Sequence, residues 1–113
     1  MTATRSLTGV LASSIVLLAA APLNAEEGWI QNRTVVALVN TSNGGFNIRL
    51  SPDLTACVSQ SGYGPNYASV YPSHAGLNRI KADMITALTT GKPVSLYLAP
   101  NCVVSETILG PHF

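Results

Sequence analysis

Cys57 and Cys102, His74 and His112, and the cluster Tyr63, Asn66, Tyr67 and Tyr71 are the residues of this 113-residue chain whose types could do chemistry. Neither histidine has a cysteine or carboxylate at a metal-ligand spacing such as His-Glu-x-x-His. His74 reads as a surface residue in the first turn of a helix and His112 as part of the C-terminal tail. No serine stands in a Gly-x-Ser-x-Gly context, and Asp53, Asp83 and Glu106 are scattered rather than paired for acid and base work. Asn43-Gly44-Gly45 is turn chemistry, and Gly62-Tyr63-Gly64-Pro65 lacks the lysine and the following helix of a phosphate cradle. The reading is therefore a non-enzymatic chain with no metal and no cofactor. The tyrosines are different, because each offers a flat apolar ring with a polar tip, which sugar recognition and protein interfaces both use. They read either as a ligand-binding surface built from Tyr63, Asn66, Tyr67 and Tyr71 or as a cover over the end of a small barrel.

The N-terminus supplies the context for the cysteines. Arg5, an apolar stretch from Leu7 to Ala21, and Pro22-Leu23-Asn24-Ala25 form the three zones of a secretory signal peptide, with cleavage expected after Ala25. Gly9, Ser13, Ser14 and Pro22 interrupt the apolar stretch, which is short against the roughly 20 residues of a membrane span. Export places Cys57 and Cys102 where thiols oxidise, so a Cys57–Cys102 disulfide is expected and neither is left as a nucleophile. Localisation follows as periplasmic or secreted, with no membrane span in the mature chain. Past Ala25, Arg33, Arg49, Arg79, Lys81 and Lys92 are matched one for one by Glu26, Glu27, Asp53, Asp83 and Glu106. That balance leaves no basic footprint for nucleic acid.

Residues 26–113 have room for one domain, near the lower end of what a single core stabilises. Residues 26–33 read as a polar lead-in. Thr34 to Asn40 is a β-branched run, Asn43-Gly44 a tight turn, and Phe46 to Leu50 an alternating strand with Asn47 and Arg49 on its polar face, which together make a hairpin. Ala56 to Val58 reads as a short extended piece, 59–65 as a loop, and Tyr67 to Tyr71 as a third strand on which Tyr67, Ser69 and Tyr71 share a face. Ser73 is the expected N-cap of a helix over about 74–90, with Leu77, Ile80, Met84, Ile85 and Leu88 at helical spacing and Gly91 at its end. Strands at 93–99 and 103–109 follow. The order βββ-α-ββ predicts an α+β domain, a small OB-like, partly open antiparallel β-barrel.

The segment Leu77 to Leu98, ending in Leu88-Thr89-Thr90-Gly91-Lys92-Pro93-Val94-Ser95-Leu96-Tyr97-Leu98 and followed by Cys102, resembles a group of small exported proteobacterial proteins. Their architecture is similar to the B subunits of AB5 toxins of the subtilase-cytotoxin type. The resemblance covers the last third of the chain in motif and the rest in element order. It implies an OB-fold, export, a possible homo-oligomer, and a glycan or protein ligand, and it carries over no glycan-binding residue. In a bacterial source, the N-glycosylation patterns at Asn32 and Asn40 are accidental. Two functions are expected from this reading. One is an exported binding module recognising a glycan or a protein partner. The other is a periplasmic structural or inhibitory protein that inserts the same loop into its target.

Overall fold

The computed structural model describes residues 26–112, so the expected signal peptide and the expected cleavage after Ala25 lie outside the described residues. Five strands and one helix follow in the expected order: β1 (Gly28–Asn40), β2 (Phe46–Ser51), β3 (Tyr67–Val70), α1 (Leu77–Thr90), β4 (Val94–Ala99) and β5 (Val103–Leu109). The strands close into a ring in the order β1-β2-β3-β5-β4. Two features of the expected barrel are corrected. The ring is closed rather than partly open, because β4 pairs back onto β1. It is mixed rather than antiparallel, because β3 meets β5 in parallel at Ser69 and Val103.

Closure depends on a strand that reads as a lead-in. Gly28 to Arg33 pair with β4 while Thr34 to Asn40 pair with β2, so β1 serves two neighbours in succession. It bends between them: Asn32 has φ 51, and a bulge between Val35 and Ala37 leaves Val36 exposed. Such breaks scramble the period-2 pattern by which a strand is recognised. Inside the ring Phe46, Ile48 and Leu50 of β2 meet Val70 of β3, Val94, Leu96 and Leu98 of β4 and Val104 of β5, all with 1% or less of their surface exposed. Burial of each such side chain contributes about 2 kcal/mol.

The helix starts later than Ser73 predicts. Gly76 is its N-cap, and the turn before it is organised by His74, whose Nδ1 accepts from the Gly76 N–H at 2.8 Å while Nε2 lies 2.9 Å from the Ser105 carbonyl oxygen. A carbonyl only accepts, so the proton sits on Nε2, and the imidazole ties the approach to α1 onto β5. His74 thus precedes the helix. Gly91 ends it at φ 77, donating to Ala87 O at 2.9 Å. The buried stripe is Ile80, Met84 and Ala87, with Leu77 partly buried; Ile85 and Leu88, expected on that stripe, are exposed. No helix among the described residues is long and apolar enough to cross a membrane.

Cys57 and Cys102 form the expected disulfide, joining the segment after β2 to the short turn before β5. Residues 56–58 are not a strand. Their path is set by the disulfide, by the Cys57 N–H to Pro65 O bond at 3.2 Å and by the Val58 N–H to Asn101 O bond at 3.4 Å.

Candidate functional site

The polar face of β2 and β3 points away from the core and divides into two rows. Asn47 lies opposite Ser69, and one step along Arg49 lies opposite Tyr67. The first row is fully buried, although its residues are polar, because the chain folds back over it. Gln60, in a 3-10 turn over Gln60–Gly62, is the residue that covers it. Its main-chain N–H donates to Ser69 Oγ at 2.9 Å, and its carbonyl accepts from Asn47 Nδ2 at 3.0 Å. The Ser69 hydroxyl completes the circuit by donating to Asn47 Oδ1 at 3.0 Å. The Gln60 side-chain amide donates to the carbonyls of Phe46 and Val70, both at 2.9 Å, and its Oε1 accepts from Asn43 Nδ2 at 2.9 Å. Phe46 and Val70 are themselves an opposed pair of the β2–β3 ladder, so one residue reads two consecutive cross-strand pairs. Each of these buried polar groups has a partner, which is the condition under which such a network rigidifies a structure.

The second row is open. Arg49 makes a two-pronged ion pair with Asp53, Nε to Oδ1 at 2.9 Å and Nη2 to Oδ2 at 3.1 Å, with both side chains about 40% exposed. Its guanidinium carbon lies 6.0 Å from the centre of the Tyr67 ring. The hydrogen bonds from Arg49 hold the Asp53 carboxyl below the usual carboxylate range, and the same pair raises Arg49 above its ordinary value. Tyr63 meets Tyr67 edge to face with ring centres 5.9 Å apart, a favourable geometry for aromatic pairs. Val36 and Ala37 of β1 and the Ser51–Asp53 turn complete the walls of a shallow groove of about 490 Å³.

Of the four residues expected to form a binding surface, the structure brings two together. Tyr63 and Tyr67 are in contact. Asn66 donates from Nδ2 to Leu54 O at 2.6 Å and so closes the base of the loop. Tyr71 lies one residue beyond β3 and makes no ring contact with the other two. The shared face of Tyr67, Ser69 and Tyr71 is interrupted by Gln60, which buries Ser69 between them. The Arg49–Asp53 pair adds to those four residues. The available clue was their spacing, an arginine on the polar face of a strand four residues before an aspartate that follows a turn.

A second aromatic group lies on the other side of the ring. Trp29 and Tyr97 are opposed across β1 and β4 with ring centres 5.3 Å apart, and His112 approaches Trp29 at 5.2 Å. The tail that carries His112 is held by Asn32, whose amide donates to His112 O at 2.6 Å and accepts from His112 N at 2.8 Å. His112 is thus an attached part of the fold. Among the described residues no three His, Cys, Asp or Glu side chains converge to hold a metal ion. The sequence matches no protein-family model and no curated protein.

Proposed function

We propose that the chain is an exported binding module with an OB-like barrel, and that it recognises a saccharide in the groove beside Arg49, Tyr63 and Tyr67. The observation that carries this reading is a groove lined by Tyr67 and by the doubly hydrogen-bonded Arg49–Asp53 ion pair, with the Tyr63 ring in edge contact with Tyr67. Such rings stack against the apolar C–H face of a sugar, and a fixed guanidinium and carboxylate supply donors and acceptors to its hydroxyls. The ring order β1-β2-β3-β5-β4 supports the OB-like assignment, since in that fold the outer face of strands 2 and 3 holds oligosaccharides or oligonucleotides. Oligonucleotide is the poorer fit, because the one arginine in the groove is already neutralised by Asp53. The Cys57–Cys102 disulfide supports an oxidising compartment outside the cytoplasm.

A protein ligand is the second reading, favoured by Val58, which is 64% exposed on a loop fixed by the disulfide and free of charged residues from Leu54 through Ser73. Charge depletion with exposed apolar and aromatic groups marks interface cores. A glycan array followed by calorimetric titration separates the two. The saccharide reading expects selective binding that falls at least about thirtyfold in Tyr67→Ala and in Arg49→Ala, the size of an interfacial hot spot. A blank array, or binding unchanged in both variants, refutes it.

A further inference from the structure

We propose that Gln60 is the positioning residue of this site: it touches neither Tyr63 nor the groove, yet it sets the Tyr63 ring against Tyr67. The functional part rests on the binding reading above; the geometric part does not. The segment 57–66 closes on itself at its base, through the Cys57 N–H to Pro65 O bond and the bond from the Ser59 hydroxyl to Gly64 O at 2.9 Å. The Cys57–Cys102 disulfide and the Val58 N–H to Asn101 O bond tie its start to the turn before β5, which leaves the part over β2 and β3 to be held from the sheet. Gln60 supplies that hold, because its two main-chain and three side-chain hydrogen bonds reach β2, β3 and the β1–β2 turn together. Tyr63 is the residue that ends the Gln60–Gly62 turn, so its Cα is fixed from three residues away. Its ring is 48% exposed and meets Tyr67 edge to face.

The glycine before β2 belongs to the same device. A Cβ on Gly45 would lie 2.5 Å from Val70 O and 2.8 Å from Gln60 Oε1, so the absence of a side chain there is what admits the Gln60 amide to the end of the β2–β3 ladder. Gln60 covers the Asn47–Ser69 row, the next along the strands from Arg49 and Tyr67. A ligand held by Arg49 and Tyr67 that extends along the strands toward that row approaches the turn that carries Tyr63.

Photo-oxidative coupling tests the positioning without any ligand, because two tyrosines join carbon to carbon only when their rings approach. Tyr63 and Tyr67 are the Tyr–Tyr ring contact among the described residues. The wild-type chain should give an intramolecular dityrosine that peptide mapping assigns to that pair. Gln60→Ala should lower its yield about tenfold, as expected when a preorganised element is set free. Met84→Ala, which empties a fully buried position on α1, should lose stability while keeping the coupling, so that general loosening is told apart from loss of positioning. All variants are compared in sucrose, which favours the compact state, and Gln60→Met, similar in size but without donors, serves if the alanine variant fails to fold. Wild-type coupling in folded Gln60→Ala or Gln60→Met overturns the proposal. With a saccharide from the array in hand, unchanged affinity in a variant that no longer couples overturns the functional half. Strong wild-type coupling with no saccharide bound counts against the binding reading alone.

Discussion

Replacing Gly45 by alanine sets two opposed effects against each other at one position. Gly45 is not among the residues of positive φ, so an alanine needs no strained backbone there. On chain entropy alone the substitution should stabilise by about 0.4–1 kcal/mol. Sterically it should do the reverse, because the new methyl would stand 2.5 Å from Val70 O and 2.8 and 2.9 Å from the two polar atoms of the Gln60 amide. Overpacking of this kind costs about 1–3 kcal/mol. If the methyl expels the amide, the carbonyls of Phe46 and Val70 lose their side-chain donor, and each buried group left unsatisfied costs about 1–3 kcal/mol. Net destabilisation of roughly 2–4 kcal/mol is expected, to be measured by urea unfolding under oxidising conditions with m-values compared. In a Gln60→Ala background the amide is gone and only the clash with Val70 O remains, so the penalty of Gly45→Ala should shrink without vanishing. Unchanged or raised stability in Gly45→Ala, or full additivity with Gln60→Ala, would refute the packing argument.

Three further outcomes are expected. The disulfide closes a loop of sequence separation 45, for which chain entropy assigns about 4 kcal/mol, so the double variant Cys57→Ala, Cys102→Ala should lose that order of stability in denaturant; a loss under about 1 kcal/mol would contradict it. Asp53 is held below its ordinary pKa by Arg49, so the stability it contributes is present above about pH 4 and is lost as pH falls through its folded value. Unfolding curves at neutral pH and near pH 3 should show a smaller acid loss in Asp53→Asn than in wild type, and an equal loss in both would remove the pair from the account. On α1, Ile80→Asp should destabilise by several kcal/mol, because it buries an unpaired charge, whereas Ile85→Asp on the exposed side should change the melting temperature little. Comparable losses in the two would mean that the helix packs by another face.

The elements that were legible in the sequence are those with an unbroken period. Phe46, Ile48 and Leu50, and again Val94, Leu96 and Leu98, alternate cleanly and line the core. Residues 28–33 were not legible, because a strand that turns to positive φ at Asn32, changes partners after Arg33 and bulges at Val36 has no single face to show. The helix starts after the position that Ser73 marks because a histidine ring, rather than the serine hydroxyl before it, receives the Gly76 N–H. At the site, Tyr63 and Tyr67 stood out by type, while Gln60 did not, since a glutamine among serines and glycines looks like solvent-facing loop. Its burial is a property of what lies beneath it: Asn47 and Ser69, two polar residues on facing strands, call for a polar cover, and that pairing becomes visible only once the register is known.

The double allegiance of β1 also bears on the order in which the chain can acquire its shape. The C-terminal half of β1 finds β2 across a short turn, so that hairpin is available as soon as both are synthesised. The N-terminal half must wait for β4, with Gly28 facing Leu98 and Trp29 facing Tyr97 from the far end of the domain. Contacts of such sequence separation form late, since the entropy of the intervening loop is lost before they return anything. A chain emerging from the ribosome therefore holds an unclosed ring, with half of its first strand unmatched, until nearly all of it is out. Closure by β4 then coincides with the arrival of Cys102, three residues beyond that strand, beside Cys57.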